Sequence, residues 1–598
     1  MNTMKRIALV SALCLAVTGS VAVIPAEPCF EMTASAAEDS TATLENGTLT
    51  LHGNVVKTDV TPFCMNSRVG KVIADEGTVL PENCANLFAG FRAYEFDLSK
   101  ADCSKVKNMQ SMFYSCENLE TVDLTCFRKA KPTDMSNLFG ECEKLQSVNL
   151  SGLNTAEVTD MNKMFSYCSA LTELDLSGFD TSKVTDMTEM FYRCTALAKL
   201  NISGFKTPNV TSVKEMFRNC ESLTALDVSG FDTSKVTDFH SMFEGCKKLA
   251  DLDISGFRTP AATDMSLMFS DCYEVTALNV SGFSTENVTT MKAMFNGCKT
   301  VNALNVSGFN TENVTDMSYM FQLCESVKKL DVSGFDTAAV IAMEKMFSGC
   351  KSVTALDVYR FNTSNVTSMN GMFSMCEKLT DVNVSRFDTS KVTNMAGMFS
   401  DCCSLTGINV SRFDTSNVTK MGSMFALCES LTKLDLSSFD TSGLTEMDRM
   451  FEKDALLETI IVSEKWTTEK LKSQKDSAFA GCTALTGGNG TKFTNAHIDS
   501  GYARIDTADA PGYFTMQKYD KGDISGDGIV NVVDAQMTLI TYTDRLAGKK
   551  VNLTQAQNTA ADVDENGELS IEDAQYILKY YTELNVSSKK ITWADIVH

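Results

Sequence analysis

Leu223 to Cys246 reads LTALDVSGFDTSKVTDFHSMFEGC, and close variants of this string recur along most of the chain. Phe243 belongs to a series spaced by 26 residues that runs from Phe113 to Phe451 without insertion or deletion. A second series at the same period, Cys116 to Cys428, runs three residues behind it. A fixed period of about 20–50 residues is the signature of a solenoid, whose units bury their apolar faces only against their neighbours. Around Phe191, the residues Met187, Met190, Phe191, Cys194 and Leu197 fall at i, i+3, i+4, i+7 and i+10, which predicts an amphipathic helical stripe. Thr185 stands just ahead, where a hydroxyl caps a helix. Leu200 and Ile202, with Lys199 and Asn201 alternating outward, predict a short strand. Gly204-Phe205 then turns the chain into the next unit. The expected fold is an α/β repeat solenoid in which each coil is a strand, a turn and a short helix.

The quoted string resembles the bacterial surface-protein leucine-rich repeats of the BspA type, which carry LxxLDxSxFDTSxVTxMxxMFxxC. The resemblance covers Pro81 to Cys482. It implies a right-handed solenoid with a parallel sheet along one face. Residues 37–80 are then expected to be an N-terminal cap and residues 81–486 the solenoid. Residues 487–518, which include Pro511-Gly512-Tyr513-Phe514-Thr515, resemble the C-terminal cap of such proteins and lead into a linker. Caps are needed because terminal coils would otherwise expose their core.

The repeated Cys, Met and Phe columns lie on the apolar stripe and are expected to be core; a Cys there behaves as a small hydrophobe. Isolated bridges remain open among the off-register Cys64, Cys84, Cys103, Cys126 and Cys403. The outward strand position reads Asp175, Asn201, Asp227, Asp253, Asn279, Asn305, Asp331 and Asp357 over eight consecutive coils. One reading is a hydrogen-bonded ladder that caps turns; the other is an acidic recognition face. The next outward column varies, as in Glu173, Lys199, Ala225 and Asp251, which fits either an individualised binding surface or unconstrained solvent positions.

The composition changes after Gln517. Asp523, Ser525, Asp527, the Ile529 carbonyl, Asn531 and Asp534 occupy positions 1, 3, 5, 7, 9 and 12 of a calcium loop, with Gly528 at position 6. The pattern repeats at Asp562, Asp564, Asn566, Glu568, Ser570 and Asp573, with Gly567 at position 6. Each loop leads into an amphipathic helix, the first with Ala535, Leu539, Ile540 and Leu546 as its apolar points. Position 12 is Asp in both loops, where the EF-hand motif has Glu.

This doubled loop and helix resembles a type I dockerin, covering residues 519–585, with a tail to 598. The resemblance implies a small all-α domain that takes two calcium ions and binds a cohesin domain on a scaffoldin, as in cellulosome-like assemblies. The cohesin-reading positions map to Val532, Val533, Leu539 and Ile540 in the first half. In the second half they map to Ile571, Glu572, Leu578 and Lys579. Many dockerins have Ser-Thr where this chain has Val532-Val533, which implies a more apolar contact.

Lys5-Arg6, the apolar stretch Ile7 to Pro25 and Ala34-Ser35-Ala36 read as a secretory signal over residues 1–36. No later segment is long and apolar enough to span a bilayer. The net charge of −23 argues against nucleic-acid binding and against attraction to anionic membranes. A monomer is expected. Four His in 598 residues leave little for a His-based catalytic or metal cluster. Dockerin-bearing chains are often polysaccharide-degrading enzymes, but here no segment of catalytic-domain size is left between signal and dockerin. The expectation is an exported non-catalytic protein whose solenoid binds a protein or glycan and whose dockerin attaches it to a surface or scaffold complex. A structural spacer and a freely secreted adhesin are the alternatives.

Overall fold

The computed structural model describes residues 40–473, 476–549, 551, 553–587 and 590–597. The export signal expected over 1–36 lies outside them. The chain opens with β1 (Ala42–Glu45) and β2 (Thr48–Leu51), an antiparallel hairpin turned by Asn46 and Gly47, both at positive φ. That pair suits the tight turn whose twist matches flanking strands. A single short helix, α1 (Lys57–Val60), follows. From β2 onward all pairing is parallel, through β3 (Lys71–Ala74), β4 (Glu95–Asp97), β5 (Thr121–Asp123) and β6 (Ser147–Asn149).

The strands of the middle coils are two or three residues long and pair in twos. They are β7 (Glu173–Asp175) with β8 (Lys199–Asn201), and β9 (Ala225–Asp227) with β10 (Asp251–Asp253). Then come β11 (Ala277–Leu278) with β12 (Ala303–Leu304), and β13 (Ala355–Leu356) with β14 (Asp381–Val382). The array closes on a three-stranded sheet of β15 (Lys433–Asp435), β16 (Thr459–Val462) and β17 (Phe514–Met516). Register is one coil throughout: Glu173 faces Lys199 and Asp175 faces Asn201.

The helix predicted in each coil is absent. Among the described residues of the repeat array there is no α-helix; the Met–Phe–Cys stretch is a run of turns. Its alternate N–H groups reach across to the next coil: Met187 to the Ser212 carbonyl at 3.2 Å, Glu189 to Lys214 at 2.8 Å, Phe191 to Met216 at 2.9 Å and Arg193 to Arg218 at 2.8 Å. The residues between them close local turns, as Met190 N–H to Met187 O and Cys194 N–H to Phe191 O. Glu189 and Arg193 stand at φ 54° and 59°, a left-handed conformation that no α-helix tolerates. Thr185 caps nothing; its N–H and its hydroxyl both donate to the Thr159 carbonyl one coil back. The fold is therefore a β-solenoid of 26-residue coils, not an α/β one. The spacing i, i+3, i+4, i+7 reported which side chains face inward, and successive three-residue turns satisfy it as well as a helix does.

The core follows the predicted columns. Phe113 to Phe451 stack ring on ring, with centroids 5.5–6.1 Å apart and planes within 19° of parallel. Offset stacking of this kind adds to the burial of each ring. The Cys column is buried, and each thiol donates to a Phe carbonyl of the preceding coil, as Cys194 to Phe165 and Cys428 to Phe399, both at 3.1 Å. Burial pushes the Cys194, Cys246 and Cys324 thiols up to about 12. A third file is the buried Thr of each FDTS motif. Thr259 Oγ donates to the Ser284 carbonyl at 2.8 Å and accepts the Ser284 N–H at 3.0 Å, tying both backbone groups of the next coil. One apolar core runs from Ala42 to Phe514; a second, small one holds Ala535, Val563 and Ile577.

Asp454 occupies the next register of the Cys file and is fully buried. Its Oδ1 accepts the Cys428 N–H at 2.8 Å, while Oδ2 is buried without a hydrogen-bond partner. Burial pushes this carboxyl up to about 9.

Phe295→Ala in the middle of the stack is expected to cost about 3–5 kcal/mol in urea denaturation, while Lys329→Ala on the exposed strand face changes stability by less than about 0.5 kcal/mol. The folded chain keeps the Asp454 proton to about pH 9, whereas an unfolded Asp releases it near pH 4. The stability held by that proton is complete below about pH 4 and is lost as pH rises toward 9. Asp454→Asn should flatten that fall, seen as Tm values at pH 5, 7 and 9 that differ less than those of the parent.

Candidate functional site

Two regions carry the residues that the sequence singled out. On the strand face, each residue of the outward column caps the turn that follows it. Asp175 Oδ1 accepts the Ser177 N–H at 2.9 Å, Asp253 that of Ser255 at 2.9 Å and Asn305 that of Ser307 at 3.2 Å. Asn201, Asp227, Asn279, Asp331 and Asp357 do the same with the residue two further on. These bonds from the following serine hold the Asp175, Asp253 and Asp331 carboxyls below the usual carboxylate range. The column is thus a turn-capping ladder whose members remain exposed to solvent. A shallow groove of about 950 Å³ lies over it between β6 and β9, lined among others by Asn149, Glu173, Asp175, Lys199 and Asn201.

A second, mostly half-buried cluster escaped the sequence reading. Tyr167 and Tyr192 meet edge to face at 5.2 Å, with the Arg193 guanidinium 5.5 Å from the Tyr167 ring and that of Arg218 5.8 Å from Tyr192. They come from successive coils at two neighbouring register positions, Tyr167 and Arg193 at one and Tyr192 and Arg218 at the other, so no single column of the repeat displays them together.

The C-terminal module is built on α2 (Val532–Leu546), α3 (Gln555–Ala561) and α4 (Ile571–Tyr581). Its two acidic loops are wrapped around their first carboxylate. Asp523 accepts the N–H groups of Gly526 at 2.7 Å and Gly528 at 2.7 Å; Asp562 accepts those of Asn566 at 3.1 Å and Gly567 at 2.9 Å. Gly528 and Gly567 lie at φ 83° and 87°, which only glycine adopts without strain. The position-12 carboxylates close the loops. Asp534 accepts from Ser525 and Asn531, and Asp573 from Val563 and Ser570. Both are buried, and burial raises both carboxyls above the usual range. Asn531 and Ser570 double as N-caps of α2 and α4. In the second loop Asp562, Asp564 and Asp573 each bring an oxygen within 4.8 Å of the others, a spacing that fits a cation. Ser525, Asp527 and Glu568 sit on the loop rims; Asp527 caps the Ile529 N–H, and the Ile529 carbonyl accepts from Asn531 Nδ2 at 3.1 Å.

The helices α2 and α4 pack together through Ala535 and Ile577, with Thr538 and Thr541 also buried. Of the apolar points on α2, Ala535 is buried, whereas Leu539 at 39%, Ile540 at 56% and Leu546 at 71% are exposed. Small residues line the packed face because the two helices are close and the core is small. Val532 and Val533 are exposed on α2, and Ile571, Glu572, Leu578 and Lys579 on α4. Trp593 of the tail stacks on Tyr580 at 4.1 Å and covers Gly522, where a Cβ would strike its ring. The tail therefore clasps the two ends of the module together. Gln517 joins the module to the solenoid: its N–H donates to Val462 O at 2.8 Å and its Nε2 to Gly526 O of the first loop at 2.9 Å.

The coil geometry defines the class, a solenoid of the leucine-rich-repeat type. The chain belongs to the family described as "Mycoplasma protein of unknown function, DUF285", which matches over residues 82–195, 169–278, 263–381 and 367–491. No curated protein matches the chain. Among solved structures it is similar to a leucine-rich repeat protein from Bacteroides ovatus (14% identity, TM-score 0.31, covering 76% of this chain and 94% of that one). It is also similar to one from Eubacterium ventriosum (17%, 0.31, covering 62% and 94%). A leucine rich cell surface protein from Faecalibacterium prausnitzii is a third (16%, 0.26, covering 75% and 93%). The class rests on the coil described above, not on these likenesses. Among the described residues no helix is long and apolar enough to cross a membrane.

Proposed function

We propose that this is an exported, non-catalytic recognition protein, carried out of the cell by residues 1–36. Its solenoid presents a polar strand face to a ligand, with a protein favoured over a glycan. Its C-terminal module is a type I dockerin that takes two calcium ions and docks onto a cohesin of an extracellular scaffoldin. Calcium at each loop would be held by Asp523, Ser525, Asp527, Ile529 O, Asn531 and Asp534, and by Asp562, Asp564, Asn566, Glu568 O, Ser570 and Asp573. The ion would neutralise carboxylates that are otherwise buried together without a cation. The observation that carries the reading is the apolar surface of α2. Val532, Val533, Leu539 and Ile540 are all exposed beside the first loop, and a run of exposed apolar side chains on a small domain marks an interaction site. Ile571 and Leu578 offer a smaller counterpart on α4. The pairing of α2 with α4 across calcium-closed loops would make cohesin binding depend on the metal.

Two measurements on the mature chain test this. Calorimetry after chelation should show uptake of two calcium ions, reduced to one by the double change Asp562→Ala and Asp564→Ala. Pull-down against a panel of cohesins should capture one class with calcium and none with chelator. Ile540→Asp should weaken that capture at least about tenfold and leave calcium uptake unchanged. Calcium uptake with no cohesin captured would sink the docking half and favour a freely secreted adhesin.

A further inference from the structure

The repeat grammar is broken by cysteine at two positions that face each other. In coil after coil from Thr155 to Thr441 the buried hydroxyl of the FDTS motif ties one coil to the next. Counting back by 26, the same register falls on Cys103. The turn glycine of the SGF motif, as in Gly178 and Gly204, has Cys126 at its register one coil after Cys103. Neither position carries cysteine in any other coil. The two sulfurs lie 2.8 Å apart across that single coil boundary. A sulfur–sulfur bond measures about 2.05 Å, so a small side-chain adjustment closes the gap. Cys126 is half-buried on the short 3-10 turn Thr125–Lys129, which replaces the usual tight turn, and Cys103 is buried beneath it.

We infer that Cys103 and Cys126 form a disulfide that staples the second and third coils of the solenoid, in place of the threonine tie that this boundary lacks. The oxidant is an external disulfide met on export. The Cys126 thiolate attacks it, forms a mixed disulfide and releases one thiol. The Cys103 thiol then loses its proton, displaces the second thiol and leaves the Cys103–Cys126 bond. Two protein thiols and one disulfide become one protein disulfide and two small thiols, so atoms and electrons balance. The staple sits near the N-terminal end of the array, between the coils of β4 and β5. The thirteen thiols of the repeated file lie one per coil, each donating to a carbonyl, and take no part. Cys84 is buried close by, with its thiol on Pro81 O at 3.2 Å.

The test incubates the folded, mature chain with oxidised glutathione and unfolds it without reductant. Exposed thiols are alkylated with iodoacetamide, the chain is reduced, and newly freed thiols are labelled with N-ethylmaleimide for peptide mass spectrometry. The expected result is the second label on Cys103 and Cys126 alone. The first label on both, a bond from either one to Cys84, or glutathione left on Cys126 without closure would each overturn the proposal. The double variant Cys103→Thr and Cys126→Gly restores the repeat grammar and should fold. The oxidised parent should melt several degrees above its reduced form, and the variant should show no such shift. An equal redox shift in the variant would also overturn it.

Discussion

Everything in the array depends on the hydrogen bond from an N–H of one coil to the carbonyl 25 residues on. Such bonds, at residues 187, 189, 191 and 193 and their counterparts, take alternate N–H groups away from any internal helix. A coil that lost or gained one residue would break the pairing on both its sides, since each coil serves two neighbours. This explains why the period from Phe113 to Phe451 never slips. It also explains why residues as different as Glu189, Arg193, Leu267 and Asp271 all adopt positive φ. The strain of each is repaid by the bonds on either side, a form of backbone cost that persists only in an over-determined setting.

With the backbone fixed, the side-chain columns sort by what lies above and below them. Phe stacks on Phe, thiol donates to carbonyl, and threonine ties coil to coil. Files that face water are freer. The Asp/Asn column keeps its type because each member caps a turn, while Glu173, Lys199, Ala225 and Asp251 differ. Any ligand specificity on that face must come from the varied column, since the ladder reads the same at every coil. The acidic character follows from the same rule: side chains chosen to accept a turn N–H add up to much of the chain's −23.

The C-terminal module obeys different physics. Its core is small, centred on Ala535, Val563 and Ile577, with Ile524, Ala561 and Ile596 also buried. Its loops are held by the N–H groups that Asp523, Asp534 and Asp573 accept, and Trp593 closes the ends. Val532, Val533 and Ile540 of α2 stay exposed outside this small core.

By itself the sequence determined the period, the inward columns, the outward Asp/Asn column and the loop spacing, because each is a one-dimensional pattern of residue type; that the outward column caps turns came from the structure. It placed Met187, Met190, Phe191 and Cys194 in the core correctly while assigning them a helix they do not form. Periodicity records the direction of a side chain and is blind to where its N–H points, and here the N–H points at another coil. It marked Leu539 and Ile540 as partner-reading positions by resemblance, and the structure leaves both exposed while Ala535, Thr538 and Thr541 of the same helix are buried. Asp454 and the Cys103–Cys126 pair were legible as breaks in register, but their meaning was not. Only stacking the coils turned one into a buried carboxyl with an unpaired oxygen and the other into two sulfurs in contact. The tertiary structure decided these because they depend on what the neighbouring coil supplies, and a linear pattern does not say which neighbour that is.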